Sequence, residues 1–531
     1  MTSSVSIPVA NRPLWLAAAI NYGLRGLLVL VLGVRLSFLG TGALTFPDED
    51  RYYRSVEAVE ALVYGGDLDG FCARLAETQG RPGDALWRVA PASLQVLAKV
   101  LTGVDVHDPA SLLIPVSFNY LITLGSMLLF YRIGRLLLRH KPAALLSTLV
   151  YSCLVNTNLY VRHVFPYDAA MLCFFGAVYL ALRVQQQPER GTVRACFGIG
   201  ALAAFTFAVY PGYSFTVAVA GLLLVLRPLG WRSFFQTGFF YVLGVAAVLL
   251  LFELLVSVGG RSYYEDCLKL SVTIQQGDFE DGFSFLFNYL FEAEQSLGYL
   301  LTGLGILAGP VVLFRLFRGG LTGPQIGALL RHNAFFISMV LAYLAYAVNV
   351  YYLEKMVFYG RILHFYLPVL VLLLAKALCP PPGLRWQVVP LGVVAGIACY
   401  SFAVFARQYH SIVYPVAFLN QHAPEFEGAN VTSQDQNRTA DISDYYRVRG
   451  PLTDKPAQPG RPNVVLVNLA FMYPIQDAGW CNEIKLPASY KLLYTGPHFL
   501  NLPAYPFEGF RASERAIIKR CHYQCQVYEQ P

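Results

Sequence analysis

Long apolar runs recur along the first 406 residues and restrict this chain more than any other feature. A helix needs roughly 20 mostly apolar residues to cross the hydrocarbon core of a bilayer. Runs of about that length fall near 15–38, 111–136, 142–160, 168–184, 195–210, 212–228, 234–258, 297–317, 334–352, 362–379 and 387–406. Of the 531 residues, 56% are hydrophobic and only 14% are charged, whereas a soluble domain carries about a quarter charged residues. The pattern predicts an α-helical polytopic membrane protein with about eleven transmembrane helices. The first run is too long for a signal peptide and lacks a small-residue cleavage site.

Basic residues in the short turns give an orientation, because Lys and Arg are retained on the cytoplasmic side. One turn holds Arg132, Arg135, Arg139, His140 and Lys141. Others hold Arg183, Arg190 and Arg194; Arg227 and Arg232; and Arg315, Arg318 and Arg331. All four fall on one side if the spans alternate. The expected N-terminus is then cytoplasmic, and the 41–110 loop, the 259–296 loop and the tail after 407 are external. These turns account for most of the net charge of +7, so the basic balance does not point to nucleic acid.

The expected organisation is a membrane module over 1–406, with an external loop at 41–110, followed by an external C-terminal domain over 407–531. No internal repeat is evident, which counts against an inverted-repeat transporter. In the loop, Tyr52, Val56, Val59 and Val63 form one apolar stripe that ends at Gly65-Gly66, and Leu86 to Leu101 forms a second amphipathic helix suited to the membrane interface. The tail contains the strand-like run Val464-Val465-Leu466-Val467, which suggests a small α/β domain. Cys153, Cys173, Cys196, Cys379 and Cys399 lie in or beside spans as small hydrophobes, while Cys481, Cys521 and Cys525 lie where a disulfide is allowed. No His and Cys set has zinc-ligand spacing.

Three polar constellations stand at the external ends of spans. The first is Asp48-Glu49-Asp50-Arg51-Tyr52, directly after the first span. Acids there can cap a helix N-terminus, and they can also take a proton from an acceptor or hold a metal ion. The second is Arg162-His163-Val164-Phe165-Pro166-Tyr167-Asp168. A snorkelling arginine and aromatic anchors explain part of it, but they do not explain an acid at the start of a span. The third runs through Tyr359-Gly360-Arg361 to His364. An arginine fork suits phosphate, and charged groups inside a span are costly enough that function is the default reading. A weaker set in the 259–296 loop includes Glu265, Lys269 and Glu294, and it fits an ordinary solvated loop as well as a sugar-binding one.

A first outer loop opening on Asp-Glu-x-Arg-Tyr resembles the GT-C glycosyltransferases that use polyprenyl-phosphate sugars, especially the aminoarabinose transferases and protein O-mannosyltransferases. Asp48-Glu49-Asp50-Arg51-Tyr52 matches that opening. The Arg162-to-Asp168 turn and the Tyr359-x-Arg361 start of a late span before Pro368 are similar to the family's pattern. The resemblance covers most of residues 1–406 and none of the tail. It implies a GT-C-like bundle that transfers one sugar, with inversion, from a polyprenyl-phosphate-linked donor to a lipid, glycan or protein acceptor. The transfer would take place on the outer face of a bacterial inner membrane, with the C-terminal domain in the periplasm.

By the same resemblance Asp48 is the general base and Glu49 its helper. Arg361, with Arg162, His163 and His364, would hold the donor phosphate. Asp50, Arg51, Tyr52, Asp168, Tyr359 and Lys269 are further substrate or metal candidates, and a divalent cation (Mg or Mn) is compatible with the acids. The competing expectation is a transporter or flippase of lipid-linked sugar, which would use Arg361 and Asp168 as substrate contacts and need no carboxylate at a reaction centre. A third is a scaffold whose tail binds a partner.

Overall fold

The structure is a computed structural model. It describes residues 14–39, 51–76, 82–106, 109–161, 163–187, 193–226, 230–274, 281–318, 323–352, 359–379 and 388–411, and in the tail 430–433, 463–467, 487–498, 507, 512–518 and 524–531. Helix dominates. Before the first basic turn come α1 (Leu14–Leu36), α2 (Arg51–Gly65), α3 (Leu68–Ala76), α4 (Pro82–Thr102) and α5 (Pro109–Leu138). The middle of the chain holds α6 (Lys141–Cys153), α7 (Val155–Asn158), α8 (Tyr167–Gln186), α9 (Val193–Val209), α10 (Phe215–Val225), α11 (Trp231–Val258) and α12 (Tyr263–Ile274). Then follow α13 (Phe285–Glu292), α14 (Gln295–Arg318), α15 (Gly323–His332), α16 (Ala334–Tyr351), α17 (Gly360–Leu378) and α18 (Val388–Ser411).

Six helices are long and apolar enough to cross a membrane, as a multi-pass integral membrane protein requires: Ala110–Leu138, Tyr167–Gln186, Trp231–Val258, Ala334–Tyr351, Gly360–Leu378 and Val388–Arg407. The other apolar runs carry helix too, in α1, α6, α9, α10 and α14. Among the described residues these do not reach the length and apolarity of a span. Burial ranks the six. In α17, 72% of the apolar stretch is buried and in α8 67%, against 22% in α11. Thus α8 and α17 form the centre, while α11 turns Phe235, Phe239, Val242, Leu250 and Leu254 outward.

The α9 and α11 helices cross in direct backbone contact. A Cβ placed on Gly200 would lie 2.1 Å from the Tyr241 carbonyl oxygen, and one on Gly244 would lie 2.1 Å from that of Phe197. The two backbones therefore touch at both glycines, the close approach that small residues permit between apolar helices.

The first loop is a packed helical cap. The α2 helix ends as expected at Gly66, which has φ +61° and donates its N–H to the Leu62 carbonyl at 3.1 Å. Tyr52, Val56 and Val59 are buried, whereas Val63 is exposed. The stripe packs against α4, where the Tyr52 hydroxyl donates to Gln95 Oε1 at 2.6 Å and Lys99 pairs with Glu60 at 2.7 Å. Gln95 in turn donates to the Val106 carbonyl and to Ser111 Oγ on α5. A buried pair, Arg88 with Asp84 at 2.8 Å, braces α4 internally. Two glycine contacts seat the cap on the bundle. A Cβ on Gly83 would meet the Ala208 backbone at the end of α9, and one on Gly259 would meet Ala76 of α3 at the end of α11. Leu94, Leu97 and Leu101 remain exposed along α4.

In the tail, β1 (Asn430–Ser433), β2 (Asn463–Val467), β3 (Lys491–His498) and β4 (Gln524–Gln530) form one sheet in the order β1-β2-β4-β3. The β1–β2 pair is parallel, and β4 runs antiparallel to both β2 and β3. Val464 and Val527 are fully buried. One helix, α19 (Ala512–Ile518), precedes β4. The strand expected at 464–467 is β2. Cys525 lies in β4, and Cys481 and Cys521 lie outside the described residues.

Gly200→Val and Gly244→Val should each drive α9 from α11. The expected cost is about 1–3 kcal/mol of stability, read as a lower unfolding midpoint in detergent. Gly198→Val, whose Cβ would have nothing within 4 Å, should be close to neutral in the same assay.

Candidate active site

The apolar run at 142–160 is not one continuous span, and its interruption builds the site. The α6 helix starts on His140, whose Nδ1 accepts the Ala143 N–H, and stops at Cys153. Leu154 is extended (φ −58°, ψ 136°), and one turn, α7, follows. The local sequence Val155-Asn156-Thr157-Asn158 explains the break. Asn158 Nδ2 donates to the carbonyls of Ser152 at 2.9 Å, at the end of α6, and of Leu154 at 2.7 Å, which also accepts the Asn158 N–H. At the other side of the break, both oxygens of Glu294 accept backbone N–H groups, from Val155 and Asn156, each at 2.9 Å. A tertiary carboxylate thus acts as the N-cap of α7 and complements its positive end. The next residue, Gln295, holds φ +50°, a left-handed backbone that is uncommon for a residue other than glycine.

Asn156 organises the next layer. Its amide nitrogen donates to the Tyr289 hydroxyl at 2.7 Å and to the Gly360 carbonyl at 3.1 Å. A carbonyl only accepts, so the Asn156 amide orientation is fixed, and its Oδ1 faces His364 Nδ1 at 3.1 Å. That ring nitrogen therefore carries a proton. The other, Nε2, lies 3.4 Å from Asp168 Oδ1, and Asp168 Oδ2 accepts the Thr123 hydroxyl at 2.8 Å. Asp168 lies in the first turn of α8 but caps nothing there; its carboxylate points across to α5 and α17. One turn before His364, Arg361 donates from Nη1 to the Tyr167 hydroxyl at 2.7 Å, and its guanidinium lies 4.7 Å from the Tyr359 ring centre. Tyr213 donates to the Arg361 carbonyl at 2.8 Å. Asp168, His364 and Arg361 are all buried, at 3%, 1% and 7% exposure.

The structure brings together four of the residues singled out in the sequence: Asp168, Tyr359, Arg361 and His364. His163 borders them. It belongs to the turn before α8, its carbonyl accepts Asn119 Nδ2 at 3.0 Å, and its ring lies against Phe165. Three others stand elsewhere. Tyr52 uses its hydroxyl to tie α2 to α4, Arg51 opens α2 half-buried, and Lys269 lies on an exposed face of α12, 3.9 Å from Glu265. Asp48, Glu49, Asp50 and Arg162 lie outside the described residues, and so does the expected Asp48 cap. Among the described residues, no three His, Cys, Asp or Glu side chains converge as a metal site. Asp168 and His364 offer two ligands, and Mg or Mn would need further oxygens to complete an octahedral shell.

Several members of the network are not polar outliers in the sequence pattern. Asn156 carries a readable signal, because Asn-Thr-Asn interrupts an apolar run. Glu294 stands out in the sequence only as one acid among several in a charged loop. Arg35, near the end of α1, is fully buried and reaches the Thr157 carbonyl at 3.3 Å and Met127 Sδ at 3.5 Å. A charged residue near the end of a span reads as snorkelling, so its inward direction follows only from the fold.

The site lies at the end of the bundle covered by α2–α4. The α4 N-terminus touches Ala208 of α9, and the chain leaving α9 places Tyr210 against Tyr167, with ring centres 5.2 Å apart. No protein-family model matches this chain, and no curated protein matches it in sequence.

Burial pushes the Glu294 carboxyl from 4.5 up to about 7, against the opposing pull of the Asn156 and Val155 N–H groups. Between those pH values the folded protein holds a proton that the unfolded chain has released. The stability gained from that proton is present at low pH and lost as pH rises toward about 7, an effect on the order of 3 kcal/mol. The wild-type unfolding midpoint should therefore fall between pH 5 and pH 8 more than that of Glu294→Gln. Parallel pH profiles for the two would contradict this account.

Proposed function

We propose that this chain is a membrane glycosyltransferase that moves a sugar from a polyprenyl-phosphate-linked donor to a lipid, glycan or protein acceptor on the outer face of the membrane. One observation carries the reading. Arg361, at the positive N-terminal end of α17, lies one turn from the buried His364–Asp168 pair. A helix N-terminus with an arginine fork suits a phosphate group. Tyr167 and Tyr359 hold that fork in place and give its surroundings an aromatic lining.

In this reading the acceptor hydroxyl attacks the anomeric carbon and the bond from that carbon to the phosphate oxygen breaks. The electron pair leaves with the lipid phosphate, whose charge Arg361 stabilises. The hydroxyl proton passes to Asp48, the residue that matches the family's base, with Glu49 orienting the acceptor. A single base fits inversion. His364, whose two ring nitrogens face Asn156 and Asp168, lines the same side of the site one turn from Arg361. The cap of α2–α4 then faces the periplasm of a bacterial cell, eleven spans place the N-terminus in the cytoplasm, and the tail forms an external α/β domain. A divalent cation would need ligands from the acidic motif in addition to Asp168.

The broken helix α6–α7 supports a second reading, a transporter or flippase of lipid-linked sugar, because discontinuous helices form substrate sites in transporters. Transfer assays separate the two. With purified donor and acceptor, Asp48→Asn should lower the transfer rate by at least about 100-fold while donor binding persists. Arg361→Ala should weaken donor binding and transfer together. Mass spectrometry should find a polyprenyl phosphate or its sugar adduct copurifying with the wild type and depleted in Arg361→Ala. Lipid movement across proteoliposomes without any sugar transfer would favour the transporter.

A further inference from the structure

The tail reaches the site through a short chain of contacts. Phe507 is fully buried, with its ring set edge-on to Tyr289 at 5.2 Å and to Phe285 at 5.6 Å between centres. The Arg515 guanidinium of α19 lies 4.4 Å from the centre of the Phe507 ring and donates to both carboxylate oxygens of Asp281. That ion pair is buried, with side-chain exposures of 4% and 2%. Asp281 also accepts Asn288 Nδ2 at 2.8 Å. The tail thus grips α13 twice, ahead of its start and through Tyr289. Tyr289 is the residue whose hydroxyl accepts from Asn156, and Asn156 fixes the ring of His364.

We propose that Phe507 and Arg515 are positioning residues for the site, so that the C-terminal region completes the bundle's chemistry instead of hanging beside it. Tyr289 stands on a short helix of eight residues, too short to hold its ring alone. Phe507 fills the space against that ring, and the Arg515–Asp281 pair fixes Phe507. Burying two opposite charges costs desolvation, and truncating one partner leaves the other uncompensated. The pair is therefore a strict geometric condition. With Phe507 removed, Tyr289 gains rotational room, Asn156 loses a fixed acceptor, and the His364 ring loses its orientation.

The test uses the whole chain in detergent. Phe507→Ala, Phe507→Leu and Arg515→Lys are compared with wild type, after unfolding midpoints identify the variants that fold. The first readout is magnetic resonance of isotope-labelled histidine rings. The His364 signal among the nine histidines is identified by its loss in His364→Gln. Phe507→Ala should shift the His364 Nδ1–H signal or broaden it, Phe507→Leu should do so less, and Arg515→Lys, which keeps the charge but not the guanidinium fork on Asp281, should also shift it, by less than Phe507→Ala. An unmoved His364 signal in a folded Phe507→Ala or Phe507→Leu variant overturns the proposal.

The second readout rests on the transferase reading. The transfer turnover of Phe507→Ala should fall by about 10- to 100-fold, with donor KM changed far less, and that of Arg515→Lys should fall by a smaller factor. A moved His364 signal with no sugar transfer by the wild type supports the positioning role and counts against the transferase reading alone. A moved signal with full turnover in Phe507→Ala overturns the catalytic part of the proposal.

Discussion

The structure depends on how a helix at the buried centre of the bundle is broken without leaving its backbone unsatisfied. Away from water every unpaired N–H and C=O group is costly, so irregular backbone survives only where protein groups pair with it. At Leu154 the chain leaves the helix, and two side chains satisfy the groups it exposes. Asn158 takes the carbonyls on one side, and Glu294 takes the N–H groups on the other. Everything polar in the centre follows. The break places Asn156 beside Gly360, Asn156 sets His364, and His364 meets Asp168. Five helices (α5, α7, α8, α13 and α17) are joined by this one interruption.

Much of this organisation is legible in the sequence, for definite reasons. Apolar runs follow bilayer thickness, so every run carries helix in the structure. Gly65-Gly66 ends α2 because only a residue without a side chain takes φ +61° at no steric cost. Asp168, Arg361 and His364 stand out as charges where charges are expensive, and they converge. Direction is what a sequence hides. Tyr52 reads equally well as a substrate contact and as core, and the fold commits its hydroxyl to Gln95. Asn156-Thr157-Asn158 marks the break in the run at 142–160, but the residue that caps it, Glu294, stands 139 positions away. No local pattern carries that information.

The cap of α2–α4 and the tail both lean on the same end of the bundle, by different means. The cap is seated on α9 and α11 by glycine contacts and locked internally by Tyr52–Gln95, Lys99–Glu60 and Arg88–Asp84. The tail touches α13 through a buried ion pair and an aromatic ring. The Arg361 fork is aimed by neither; Tyr167 and Tyr359, one phenol from each of two elements, hold it.

Gly200 and Gly244 give this arrangement a fixed level. Where two helices touch through side chains, one can slide along the other by swapping rotamers. Where they touch through backbone, a slip of a single residue would drive a Cβ into a carbonyl. The α9–α11 pair therefore behaves as one strut with a single permitted setting. The middle of the helical cap, where α3 ends and α4 begins, rests on it at Gly259 and Ala208, so the height of the cap is dictated from within the bundle, at two positions where the side chain is one hydrogen atom.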